Sequence, residues 1–241
     1  MKRRSVLQAG LVLIATATAA AVYRPVGAAM RVLAGGTKWA ARETPPPVPV
    51  DPRVRAYLTD REMAQVKAIF DRLIPADELG MSASDAGCVV FLDHQLGGPY
   101  GKASWKYLAG PVQAGTAAQG DQSVLTPAQF YRKGLAELDA HCRLAFTKPF
   151  EALTAAQQDA LLEKMEAGQV ALATVKSDQL FKQLLANVQE GYFADPIYGG
   201  NKDMVGWNMI GFPGARYDYR DYVQLKGEKL NIIPISIAGR I

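Results

Sequence analysis

The chain has 241 residues, of which 49% are hydrophobic and 21% are charged, and its formal net charge is +4. A chain of this length and composition can bury one sizeable core, so we expect one globular domain. The basic excess lies in the first 30 residues, which carry Lys2, Arg3, Arg4 and Arg24 and no acidic residue. The remainder therefore has no net charge, and without a cluster of Lys and Arg to follow a phosphate backbone it argues against nucleic-acid binding.

Residues 1–30 have the three parts of an export signal. A basic start is followed by an apolar stretch from Val6 to Val22 and by small residues at Gly27-Ala28-Ala29. The pair Arg3-Arg4 before Ser5 resembles the twin-arginine signal, which exports proteins that are already folded, and it predicts a periplasmic protein. Two alternatives stay open: an ordinary secretory signal, and an uncut anchor, because an apolar stretch of this length could just span a bilayer.

Residues 31–58 are predicted to be a spacer. They contain Gly35-Gly36, Pro45-Pro46-Pro47 and Pro49. This composition favours extended polyproline geometry and cannot pack a core. The folded domain is then predicted to span residues 59–241.

Five amphipathic helices are predicted in this domain. Thr59 and Glu62 have the spacing of a capping box, which starts the first helix, and Pro75 ends it. Ser84 is expected to cap a second helix over residues 85–96. The later helices are predicted to begin at Thr126, Thr154 and Ser177. Because no comparable run alternates with period two, the fold class is predicted to be mostly α, a helical bundle with long irregular loops.

Cys88 and Cys142 are the two cysteines of the chain. In an oxidising compartment an even number of cysteines favours pairing. Closing a loop of this size would stabilise the fold by roughly 4 kcal/mol on the chain-entropy model. We therefore predict a disulfide between Cys88 and Cys142, with two separate buried thiols as the alternative.

The last fifty residues are rich in aromatic residues and glycine. Such a segment either packs on its own domain or covers a partner. As partner contacts we predict the anchors Trp207 and Phe212, with Arg216 and Arg220 at a polar rim. The predicted interface comprises Tyr192, Phe193, Trp207, Phe212, Arg216, Tyr217 and Tyr219.

Patterns for catalysis or cofactor binding are scarce. The two histidines, His94 and His141, fall in predicted helices, and the sequence has no Gly-x-Ser-x-Gly elbow, no dinucleotide-binding glycine turn and no Cys-x-x-Cys-His motif. We therefore expect no catalytic residue, metal ion or cofactor in this chain. The carboxylates of Asp77, Glu78 and Asp93 could in principle serve acid–base chemistry, which leaves an enzyme as an open alternative.

Two stretches of sequence resemble a known family. The first runs from LIPAD at residues 73–77 to DHQLGGPYG at 93–101. The second is EGYFADPIYGGN at 190–201, which continues to IGFPGA at 210–215. Together with the leader, these stretches resemble gluconate 2-dehydrogenase subunit 3, the small subunit of a membrane-associated flavoprotein dehydrogenase.

The resemblance implies a non-catalytic subunit of a heterotrimer. Its partners would be a large FAD-dependent flavoprotein and a multihaem cytochrome c subunit. The flavoprotein would oxidise gluconate or, as the alternative, another sugar, polyol, sugar acid or keto acid. FAD and haem c would lie in those partner subunits, and electrons would pass to ubiquinone in the membrane. The small subunit would escort the folded flavoprotein through the twin-arginine route. A transient export or assembly factor is the alternative.

Overall fold

A computed structural model describes residues 48–106, 115–119, 123–228 and 230–238. The predicted export signal, with Arg3 and Arg4, and the spacer up to residue 47 lie outside the described residues. The described part of the chain contains six α-helices and no strand, only two isolated β-bridges. This confirms the prediction of a mostly α fold.

The helices enclose one core that is centred on the fifth. They are α1 (Asp60–Leu73), α2 (Cys88–Gly97), α3 (Pro127–Phe146), α4 (Ala155–Glu166), α5 (Ser177–Phe193) and α6 (Val205–Ile210). Helix α5 packs against each of the other five, because its apolar stripe of Leu180, Leu184 and Val188 is fully buried. Among the described residues, no helix is both long and apolar enough to cross a membrane.

Three threonines start helices as predicted. Thr59, Thr126 and Thr154 each accept the backbone N–H of the third helical residue, whose own side chain accepts the N–H of the threonine. Each such reciprocal cap satisfies two backbone donors that the helix leaves unpaired, and a cap is typically worth about 1 kcal/mol. The starts of α1, α3 and α4 were therefore readable from local sequence.

Helix α2 begins three residues later than predicted. Gly87 precedes it with φ 84°, and a Cβ at this position would lie 2.3 Å from the carbonyl oxygen of Gly199. Ser84, the expected cap, instead donates its hydroxyl to Asp71 at 2.8 Å and its backbone N–H to the same carboxylate at 2.9 Å. The close approach of the Gly199 turn explains why regular helix starts only at Cys88.

Asp93 of α2 is a buried carboxylate that binds the segment before α1. It is 2% exposed and accepts the backbone N–H groups of Ala56 (2.7 Å), Tyr57 (2.9 Å) and Leu58 (2.6 Å). Hydrogen bonds to a charged acceptor are stronger than those between neutral groups. The carboxylate is thus occupied in holding backbone.

Residues 50–58, which we call the strap, lie against α2. Besides the bonds to the buried carboxylate, the Val50 N–H donates to the carbonyl of Ile197 at 2.9 Å. The carbonyl oxygen of Val54 lies 2.9 Å from Nε2 of His94. The strap is therefore fastened both to α2 and to the turn that follows α5.

Cys88 and Cys142 are free, buried thiols in the structure, in place of the predicted disulfide. Cys88 packs against Gly191 of α5, where an added Cβ would come within 3.3 Å of the cysteine. Cys142 lies near the end of α3, in the field of Asp139 and Glu151. The structure therefore has two separate buried thiols, which was the alternative to the disulfide. Burial raises the pKa of each thiol to about 12.

Candidate partner interface

The end of α5 and helix α6 form the buried half of the aromatic C-terminal segment. Tyr192 is 2% exposed and donates its hydroxyl to the carbonyl of Met81 at 2.9 Å. Trp207 is 4% exposed and donates its Nε1–H to the carbonyl of Phe193 at 2.8 Å. Both side chains are therefore core residues of this domain, in contrast to the partner contacts predicted for them.

Close packing of α6 on the end of α5 causes this burial. A Cβ at Gly206 would lie 2.2 Å from the carbonyl oxygen of Tyr192, so only glycine permits the approach. Asn201 is fully buried, donates its side-chain N–H to the carbonyl of Ala194 and accepts the N–H of Gly206, both at 2.8 Å. Asn201 lies in the second stretch that resembles the known family, but no local sequence pattern indicates that its side chain holds α6 in place.

Beside the buried pair lies an exposed aromatic face, formed by Phe193, Tyr198 and Phe212. They are 36%, 46% and 45% exposed respectively. The ring of Phe212 packs edge-on against buried Trp207, with centroids 5.2 Å apart. Phe193 and Tyr198 line one open groove of about 580 Å³, together with Asp195. Aromatic side chains that pack on buried residues and still expose part of the ring to solvent are typical of protein interfaces.

After α6 the chain continues as an arm, residues 216–234, which the structure describes at 216–228 and 230–234 and which returns beside its own start. The Ala215 N–H donates to the carbonyl of Ile235 at 2.7 Å, and the Ile235 N–H donates to the carbonyl of Pro213 at 3.3 Å. Gly214 has φ 75°, and a Cβ there would lie 2.2 Å from the Ile235 carbonyl oxygen. These residues form a narrow neck that brings the two ends of the arm together.

Asp195 fastens the returning chain a second time. Its carboxylate accepts the hydroxyl of Ser236 at 2.6 Å and the N–H of Ile237 at 2.8 Å. The same carboxylate caps the turn after α5 by accepting the N–H of Ile197 at 3.0 Å. The neck is thus anchored to the main body of the domain at the edge of the groove.

Most of the described residues of the arm are exposed, whereas Pro234 at its end is buried. Tyr217 is 98% exposed and Tyr219 is 41% exposed, and their contact with a partner stays a prediction. Arg216, expected at a polar rim, is partly buried instead, and its Nη2 donates to the carbonyl of Ile233 at 3.4 Å. It braces the base of the arm. No sequence pattern marks the exposed aliphatic residues of the arm, which are Val223, Leu225 and Ile233.

The carboxylates considered for acid–base chemistry have structural partners. Asp77 accepts the N–H groups of Leu79 (2.8 Å) and Gly80 (3.1 Å) inside a tight turn. Asp93 is occupied by the strap, as described above. Within the described ranges, no group of three or more His, Cys, Asp or Glu side chains is arranged to hold a metal ion. The surface that stands out for function is therefore the aromatic face and the arm.

Comparison with known proteins identifies the family. The family model described as gluconate 2-dehydrogenase subunit 3 matches residues 60–214, from the start of α1 to the neck of the arm. The searches of curated proteins and of solved structures found no match. Since the family match covers well over half of the sequence and contains all six helices, the chain belongs to the gluconate 2-dehydrogenase subunit 3 family.

Proposed function

We propose that the chain is the small accessory subunit of a membrane-associated, FAD-dependent gluconate 2-dehydrogenase on the periplasmic side. In this proposal the large flavoprotein oxidises gluconate to a 2-keto acid and passes electrons to a multihaem cytochrome c and on to quinone. FAD and haem c belong to those partner subunits. The chain described here escorts the flavoprotein during export and stabilises it afterwards.

The family match carries the proposal, because this family names a subunit of a gluconate 2-dehydrogenase complex. Two features support the escort role. The Arg3-Arg4 pair has the form of a signal for folded cargo. The aromatic face leaves Phe193 and Phe212 exposed on a rigid support, as a docking subunit requires. The carboxylates Asp77 and Asp93, by contrast, are bound to backbone N–H groups, which argues against a catalytic role.

The test is co-expression with the flavoprotein, followed by fractionation of the cells. The wild-type chain should bring the flavoprotein into the periplasm and co-purify with it in a fixed ratio. An Arg3→Lys, Arg4→Lys double variant should leave both proteins in the cytoplasm, because a twin-arginine signal depends on the arginine pair. Lys2→Arg is the matched control, since it changes a neighbouring basic residue and keeps the pair.

Three results would contradict the proposal. If the flavoprotein reached the periplasm with the double variant, the chain would not be its escort. If the wild-type proteins separated during purification, the chain would be a transient factor and not a subunit. If the purified chain oxidised gluconate without the flavoprotein, it would be an enzyme.

A further inference from the structure

We infer that the arm, residues 216–234, is a separate docking element that lies against an apolar, weakly charged surface of the dehydrogenase subunit in the same complex. The inference rests on the proposed function and assigns part of the contact to a segment outside the family match, which ends at Gly214. The juxtaposition that carries it is a closed neck next to exposed apolar side chains of the arm.

The neck shows that the arm is a held element and not a loose tail. The backbone bonds of Ile235 to Ala215 and Pro213, and the bonds of Asp195 to Ser236 and Ile237, close its two ends. The entropy cost of closing the arm into a loop is therefore already incurred when the free protein folds. An element that is fixed at both ends loses less conformational freedom when a partner covers it.

The arm presents apolar and aromatic side chains to solvent along its length. Tyr217, Val223 and Ile233 are 98%, 55% and 65% exposed, and Tyr219 packs at a tilt on Tyr222 with ring centroids 6.5 Å apart. Tyrosine buries a large area at little conformational cost and is enriched at protein interfaces. A cluster of this kind favours burial against another protein surface.

Charge selects the kind of partner. Residues 216–234 contain four basic and three acidic side chains, so the arm is close to neutral. Asp218 and Arg220 neutralise each other in an ion pair at 2.5 Å. A nucleic acid or an anionic membrane surface would be bound through excess positive charge, which the arm lacks. An apolar protein surface of low charge fits it better.

Position along the surface points to the dehydrogenase subunit. The neck follows directly on Phe212 of the aromatic face, and Asp195 both lines the groove and fastens the returning chain. The arm therefore continues the surface through which the proposed subunit contact is made.

The experiment measures binding of the full chain to the purified dehydrogenase subunit. The arm variant Tyr217→Ser, Val223→Ser, Ile233→Ser changes side chains that are exposed, so its helix content and thermal unfolding should match wild type. We expect its Kd to rise about 30-fold or more, which corresponds to the loss of at least one interface hot spot. A matched control changes three exposed apolar residues outside the arm: Val54→Ser, Val124→Ser and Leu144→Ser.

A second variant replaces residues 217–233 by a short Gly-Ser linker and keeps the buried Pro234 and the neck. It should bind as weakly as the arm variant and keep the thermal unfolding of the domain. If the wild-type chain fails to bind the dehydrogenase subunit, the proposed function is wrong. If the wild-type chain binds and both arm variants bind equally well, the proposed function stands and this inference is overturned.

Two other occupants of the arm would also overturn it. Sedimentation of the wild-type chain alone could reveal a dimer that the arm variant loses, while binding of the dehydrogenase subunit is unchanged. The occupant would then be a second copy. Flotation with neutral phosphatidylcholine vesicles could likewise depend on the arm while binding is unchanged, and the occupant would then be a lipid surface.

Discussion

Replacing Trp207 by alanine should destabilise the isolated chain and not merely weaken a complex. The indole is 4% exposed, its Nε1–H is bonded to the carbonyl of Phe193, and its ring packs against Phe212. Removing a buried large aromatic side chain costs about 3–5 kcal/mol, part of which is the cavity left behind. We expect a loss of about 4 kcal/mol, a large share of the 5–15 kcal/mol that usually holds a domain folded.

Urea denaturation of the purified chain, followed by circular dichroism, measures this loss without relying on tryptophan fluorescence. Trp105→Ala is the matched control, because that indole is 68% exposed and its removal should change the free energy of unfolding by about 0.5 kcal/mol or less. Phe212→Ala, at a side chain 45% exposed, should cost about 1 kcal/mol in the isolated chain. The larger effect of Phe212→Ala should appear in binding to the dehydrogenase subunit.

The reasoning fails if Trp207→Ala leaves the isolated chain within about 1 kcal/mol of wild type, a change typical of surface substitutions. If the variant unfolds like wild type but binds the dehydrogenase subunit weakly, Trp207 is an interface anchor, as the sequence predicted. This result would also mean that α6 moves away from α5 in the complex.

Asp93→Asn should lower the free energy of unfolding by about 2–3 kcal/mol, because an amide cannot accept all three backbone N–H groups. The control Asp221→Asn changes an exposed carboxylate and should leave the midpoint of urea denaturation unchanged. Cys88 and Cys142 should resist alkylation in the native protein at pH 8 and should both react after denaturation without reductant; one disulfide and no reactive thiol would disprove the free-thiol structure. Burial alone would raise the pKa of Asp139, but hydrogen bonds from two arginines outweigh it and hold the pKa below its ordinary value. The carboxylate therefore stabilises the fold above its unfolded pKa of about 3.9 and loses this contribution as the pH falls through the lower folded value, so Asp139→Asn should flatten the acid limb of a stability profile.

The helical framework was predictable because its signals are local. The spacing of Thr59 to Glu62 and of Thr154 to Gln157 fixes the start of a helix within four residues of sequence, whatever packs on it later. The late start of α2 was not predictable in this way. It depends on the contact between Gly87 and the carbonyl of Gly199, more than a hundred residues further along the chain.

The candidate interface was predictable in composition but not in its division into core and surface. The sequence placed Trp207 and Phe212 in the same class, because both are aromatic residues among glycines. Which of them is buried depends on the approach of Gly206 to Tyr192 and on the bonds of Asn201, and these are contacts of the folded state. The two free cysteines have the same explanation, since a count of thiols contains no information on the distance between them.

The turn that follows α5 ties together both ends of the described domain. Ile197 receives the strap through Val50, and Asp195 receives the returning chain through Ser236. Two segments that are far apart in sequence thus each have an attachment to this one short turn. Opening of the turn would remove the bond of Val50 to Ile197 and the bonds of Asp195 to the returning chain together. The strap would keep its bonds to Asp93, and the neck would keep the backbone bond between Ala215 and Ile235. A change in this one turn would therefore weaken two attachments that are distant in sequence without detaching either segment.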